Sequence, residues 1–245
     1  MGVSSVRQAH RSLASFVTGD RFVFTASPTS HTADVVGNSK KTQDTGKTMT
    51  DKQIEKIKLS IKRHRAALTA EKRKFGGFHD GSGRRYHISD LYIRIGDYKG
   101  AITYKKWFDN NFPDDIGDSV LSLNWAIAYH GLEQFRETKI YTIDTAFQNV
   151  YFHGLLLDRV VDKIDMYESG HDMLEFTKSY IKDCKKVVTK SYLDWLSIFM
   201  DTEEYKNPIN RFIALNKLLK DENNQGKRIE LINHIRDLEK KNKIK

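Results

Sequence analysis

Hydrophobic and polar positions alternate with a helical period from residue 51 onward, and little else is periodic in this chain. Ile54, Ile57, Ile61 and Leu68 fall on one stripe among lysines and arginines, which predicts a basic amphipathic helix over residues 51–74. Thr50 or Asp51 stands where its N-cap belongs. Leu91, Tyr92 and Ile95 share a face. Tyr98, Ala101, Ile102 and Phe108 continue at the same spacing after Gly96-Asp97, and Pro113 closes the run. Two short helices joined by a tight turn account for that order. Glycine suits a turn requiring positive φ, and Ala101 is small enough to let the two helices close.

A second pair is predicted over residues 119–131 and 133–148, with Asp118 or Ser119 as its cap. Val150–Leu157 is apolar enough to be core. A further helix is expected from Ser169 through Met173, Phe176, Tyr180 and Ile181, and another over Lys190–Met200. Asn207-Pro208 reads as a cap followed by the first helical residue of a helix that ends near Leu219. Lys227–Lys240 forms the last one, with Ile229, Ile232, Ile235 and Leu238 on a face. The prediction is therefore an all-α domain over 51–245. Residues 1–48 are rich in Ser, Thr, Gly and Asn, so disorder is expected there, apart from a short strand at Arg21–Ala26.

Tyr92, Gly96, Tyr98, Ala101 and Pro113 fall at the mutual spacings of a tetratricopeptide (TPR) repeat, which this stretch resembles. Arg85 and Ser89 stand where that family has a large residue and a small glycine. Trp125, Ala126, Tyr129, Phe135 and Thr138 form a weaker second unit, with Glu133 in the place of the turn glycine, 37 residues after Gly96. The resemblance covers residues 85–149, with further helices at 169–241. It implies a TPR-like right-handed stack of antiparallel helix pairs whose first helices line a concave surface. Arg85, Ser89, Tyr92 and Tyr129 are thereby nominated to hold another protein, and the terminal helix to cap the stack.

Charge adds a rival reading. The formal net charge is +9, of which residues 1–48 carry +3, residues 51–85 carry +7 and the rest −1. Nucleic acid is thus an alternative partner, through Lys56, Lys58, Lys62, Arg63, Arg65, Arg73, Arg84 and Arg85. The loop Phe75–Arg85, FGGFHDGSGRR, has four glycines and two closing arginines. It suits either a phosphate held by backbone N–H groups or a turn that folds the basic helix back, and it is neither a Walker loop nor a dinucleotide fingerprint.

Chemistry is thin. Cys184 is the single cysteine, which excludes an internal disulfide framework and fits a reducing compartment. Asp114, Asp115 and Asp118 lack the calcium-loop pattern and are better placed as helix caps. His79 and His87 are the histidines expected to lie close together, across the glycine loop. No nucleophile, metal or cofactor constellation emerges, so the chain is read as a binding protein and not an enzyme. No apolar run reaches membrane-spanning length, so no integral membrane protein is expected, and with the single cysteine the expected location is cytoplasmic. Residues 1–19, with Arg7, Arg11 and no acid, instead have the composition of a mitochondrial matrix-targeting segment, and Met49 is a candidate start.

Overall fold

A computed structural model describes residues 49–244, and among these the chain forms ten helices and no strand. Residues 1–48, with the expected strand at Arg21–Ala26, lie outside the described residues. The helices are α1 (Asp51–Phe75), α2 (Arg84–Arg94), α3 (Tyr98–Asn111), α4 (Ser119–Gly131) and α5 (Phe135–Gln148), then α6 (Phe152–Leu156), α7 (Leu174–Lys185), α8 (Lys190–Phe199), α9 (Glu203–Asp221) and α10 (Gln225–Ile244).

Local signals set most of these boundaries. Thr50 caps α1 in a reciprocal box: its hydroxyl accepts from the Gln53 N–H at 3.3 Å, while Gln53 Oε1 accepts from the Thr50 N–H at 2.8 Å. Asp97 accepts from the Gly100 N–H and Asp118 from the Leu121 N–H, each at 2.8 Å, so α3 and α4 each start with a carboxylate on the exposed helical amides. Gly96 lies at φ +67° between α2 and α3, as the tight turn requires. Glu133 occupies the corresponding turn between α4 and α5 at φ +59°, a left-handed backbone on a residue with a full side chain.

Packing follows chain order in the first half. α2 rests on α1, α3 and α4; α3 also touches α4, and α4 lies along α5. Ala101 is fully buried at the α2–α3 contact. At Gly131 a Cβ would stand 2.2 Å from the Tyr98 ring, so a bare backbone is what lets α3 and α4 meet there. α7 and α8 then fold back onto this half: Tyr180, Ile181, Cys184, Val188, Tyr192 and Leu196 share one core with Ile88, Leu91, Leu123 and Ile127. α9 and α10 pack on α5, around Ile143, Phe147, Phe199, Tyr205 and Ile209.

Three boundaries differ from expectation. α7 begins at Leu174 and not at Ser169, because residues 169–173 form a turn tied by the Ser169 N–H to Asp172 Oδ1 at 2.7 Å. α9 begins at Glu203, with Pro208 inside it. Thr202 is the cap, accepting from the Tyr205 N–H. Glu203 and Glu204 complement the dipole, and buried Tyr205 anchors the first turn, so Asn207-Pro208 does not start the helix. α10 runs longer than expected, and Ile229 is exposed. The face it buries carries Leu231, Ile232, Ile235 and Leu238 and ends on Asn242, whose Nδ2 donates to Ile140 O at 2.9 Å. No helix among the described residues is long and apolar enough to cross a membrane.

Candidate interaction surface

The glycine loop after α1 is closed on an internal anion. Asp80 lies at the N-terminus of α2, where its two carboxylate oxygens accept from the Arg84 N–H at 2.8 Å and the Arg85 N–H at 2.9 Å. These are the backbone donors that would cradle a phosphate, and a buried carboxylate already occupies them. The loop is accordingly the turn that folds α1 back onto α2.

Both closing arginines are engaged as well. Arg85 Nε lies 2.8 Å from Asp115 Oδ2, and its Nη1 lies 3.9 Å from Asp80 Oδ2. Nη2 donates to the Tyr86 hydroxyl at 3.1 Å, which in turn donates to Asp115 at 2.8 Å. The guanidinium also sits over the rings of Tyr86 and Phe112, at 4.7 and 5.0 Å. Burial, and then the neighbouring Asp115 carboxylate, push the Tyr86 phenol well above its usual range. This cluster ties the α1–α2 loop to the α3–α4 linker. Arg84 pairs with Glu71 of α1 at 2.6 Å.

The other nominated residues divide sharply by face. Ser89 is fully buried: its hydroxyl donates to Tyr86 O at 2.7 Å and accepts from Asn124 Nδ2 at 3.0 Å, joining α2 to α4. It is not presented to a partner, contrary to the sequence expectation. Tyr92 is buried, and its hydroxyl lies 3.5 Å from Arg65 Nη1. Arg65 itself leans inward over the fully buried Tyr104 ring, at 5.8 Å. Tyr129 is half-buried and stacked on Tyr141 at 5.4 Å, with Lys105 Nζ 4.8 Å from the Tyr141 ring centre. Burial raises both phenols.

The concave surface expected of the first helices is filled. Every residue of α4 from Leu121 to Ala128 is buried, enclosed by α2, α3 and α5 with α8 against it. Ser119 Oγ and Tyr180 Oη lie 3.1 Å apart, as Thr142 Oγ1 and Tyr192 Oη do at 3.0 Å, and His130 packs on Tyr192 and Trp195. Ser89 is covered by Asn124 of α4, and Tyr92 by Arg65 of α1 and Tyr104 of α3.

What stays outside is the solvent face of α1. Lys58, exposed, pairs with Glu55 at 2.8 Å, while Lys56, Lys62, Arg63 and Arg73 are exposed too. Of the cations put forward for nucleic acid, Arg65, Arg84 and Arg85 therefore turn inward and Lys56, Lys58, Lys62, Arg63 and Arg73 turn outward.

The remaining candidates are structural. His87 meets His64 of α1 edge-to-face at 5.3 Å, while exposed His79 packs on Phe75 at 4.9 Å. Burial, and then the neighbouring His64 and Arg94, lower His87 to about 4. Cys184 is buried, and that burial pushes its thiol far up, away from the reactive thiolate. Asp118 caps α4 and Asp115 holds Arg85. No group of three or more His, Cys, Asp or Glu side chains able to hold a metal occurs among the described residues. His153 went unnoticed in the sequence: it is fully buried with Nδ1 2.9 Å from the Tyr205 hydroxyl, and burial lowers it to about 3. Its place inside the apolar run VYFHGLLL was the available signal.

Compared with protein-family models, curated proteins and solved structures, the chain matches none of them.

Proposed function

We propose that this chain is a TPR-like helical scaffold that works by binding another protein. The observation that carries the reading is the repetition in its first half. Two helix pairs, α2–α3 and α4–α5, turn at positive-φ residues, Gly96 and Glu133, and pack in nearest and next-nearest order. Tyr92, Ala101, Trp125 and Ala126, nominated by the repeat spacing, are all buried between these helices. Stacked pairs of this kind expose long helix faces to partners. With α4 enclosed, the partner is taken on an outer face and not in a groove between α2 and α4. The buried thiol of Cys184 suits a reducing compartment, and we assign the chain to the cytoplasm.

Nucleic acid is the weaker reading, because three of its eight nominated cations are committed to Glu71, Asp115 and the Tyr92–Tyr104 pair. Affinity capture from the host with the full chain as bait, analysed by mass spectrometry with and without nuclease, separates the two. Reproducible protein partners that survive nuclease are expected. Capture that nuclease abolishes would overturn the scaffold reading.

A further inference from the structure

The solvent face of α1 is rich in cations. At about 100° per residue, the positions within about 60° of Leu59 hold six cations and a single acid, Glu55, and all of them are exposed. Lys52, Lys62, Arg63 and Arg73 are prominent among the cations, and they extend over about 30 Å of helix at 1.5 Å per residue. Down the middle run Leu59, Ala66 and Ala70, at i, i+7 and i+11, with Leu59 47% exposed. A seam of short aliphatic side chains flanked by like charges has the form of one half of a helix pair whose rims carry the pairing charges.

We infer that this face docks an acidic helical segment of a partner protein. The inference rests on the scaffold reading and names the chemistry of what the scaffold holds. Charge complementarity sets the sign of the partner, and the seam sets its shape. Leu59, Ala66 and Ala70 allow a second helix to approach closely, while glutamates or aspartates along its edges meet the lysines and arginines. A nucleic acid fits less well. The face offers no aromatic ring to stack a base and no Asn or Gln to read one, and Arg65, Arg84 and Arg85 are held inward, away from it. A membrane surface fits less well again, since Leu59 is the sole bulky aliphatic residue of the seam and two alanines bury little area.

The test uses the full chain and a fluorescein-labelled synthetic helical peptide of about 24 residues, long enough to lie along α1, with an Ala/Leu seam and glutamate flanks. Fluorescence anisotropy should give saturable binding at one peptide per chain. Lys62→Glu with Arg63→Glu, both exposed, should weaken it by about tenfold or more. Lys240→Glu with Lys241→Glu, an equal change of charge on exposed α10 positions, should leave it within about twofold. Leu59→Gln should weaken it without altering net charge. Absence of binding, an equal loss in the α10 variant, or tighter competition by a single-stranded RNA oligonucleotide or by phosphatidylserine vesicles would each overturn the inference. Repeating the affinity capture with the Lys62→Glu, Arg63→Glu chain separates the two claims. Partners retained by this variant leave the scaffold standing and remove its α1 face. Partners captured by neither chain remove the scaffold reading itself.

Discussion

The two inter-helix turns predict opposite responses to complementary substitutions. Gly96 at φ +67° is replaced by Val; Glu133 at φ +59° is replaced by Gly. A residue with a Cβ in the left-handed region costs about 1–2 kcal/mol, and β-branching places Val at the upper end or beyond. The stiffer unfolded chain returns about 0.5 kcal/mol, so Gly96→Val should destabilise by about 1.5 kcal/mol or more. At Glu133 the same penalty is already present in the native protein. Removing it gains about 1–2 kcal/mol and the extra freedom of the unfolded glycine takes back about 0.5–1, leaving a net gain of about 0.5–1 kcal/mol. The Glu133 side chain is exposed, so its loss subtracts a few tenths at most. In a 245-residue chain each kcal/mol moves the midpoint by about 2–4 °C. Thermal unfolding followed by circular dichroism at 222 nm should therefore fall by about 3–6 °C for Gly96→Val and rise by about 1–4 °C for Glu133→Gly. If Glu133→Gly instead lowers the midpoint by the amount a glycine costs in a helix interior, residue 133 is helical and the second pair has no turn there. An unchanged Gly96→Val would remove the first turn in the same way.

Arg85→Leu should cost about 3 kcal/mol or more in urea unfolding, because it removes the cation facing the Asp115 and Asp80 carboxylates, whose remaining donors are neutral; a cost below about 1 kcal/mol would show that Arg85 is a surface residue. Stability should fall as pH drops from 7 to 5. His153, held near 3, and His87, held near 4, stay neutral when folded but take up protons below 6.5 when unfolded, each contributing up to about 1.4 kcal/mol per pH unit. His153→Phe should reduce that slope between pH 7 and 5, whatever its effect at pH 7, and an unchanged slope would show that His153 titrates normally in the folded chain. Pro208→Ala should raise the α9 contribution by about 1 kcal/mol or more, since it restores the N–H that Glu204 O lacks, and a lower melting midpoint would show that the ring is needed for packing.

Where a boundary depends on residues three or four apart, it could be read from the chain. Thr50, Asp97 and Asp118 each cap their own helix, and Gly96 turns at its own backbone; no distant residue has a vote. Even the early start of α9 was legible, since Thr202 followed by two glutamates is a stronger cap signature than Asn207-Pro208, and one missing N–H in the second turn does not outweigh buried Tyr205 and Ile209. The fate of Ser89 was not legible. Helical spacing assigned it to a face, but what covers it there is Asn124, 35 residues on.

The arginines carry the same argument to the interaction surface. Arg63 and Arg65 stand two residues apart on one helix, and in the chain they are interchangeable cations. The 200° between them aims one at solvent and the other at Tyr104. Arg84 and Arg85 are neighbours, yet one reaches back to Glu71 and the other forward to Asp115. A half-buried guanidinium is held by a carboxylate or an aromatic ring opposite it, so Glu71, Asp80 and Asp115, together with Tyr92 and Tyr104, decide which of these arginines remain for a partner. Those acids neutralise Arg84 and Arg85 at the start of α2 and leave the exposed cations along α1. The cationic face of α1 is about as long and as narrow as one helix, which favours a partner of the same dimensions over a polyanion that would need a broad field.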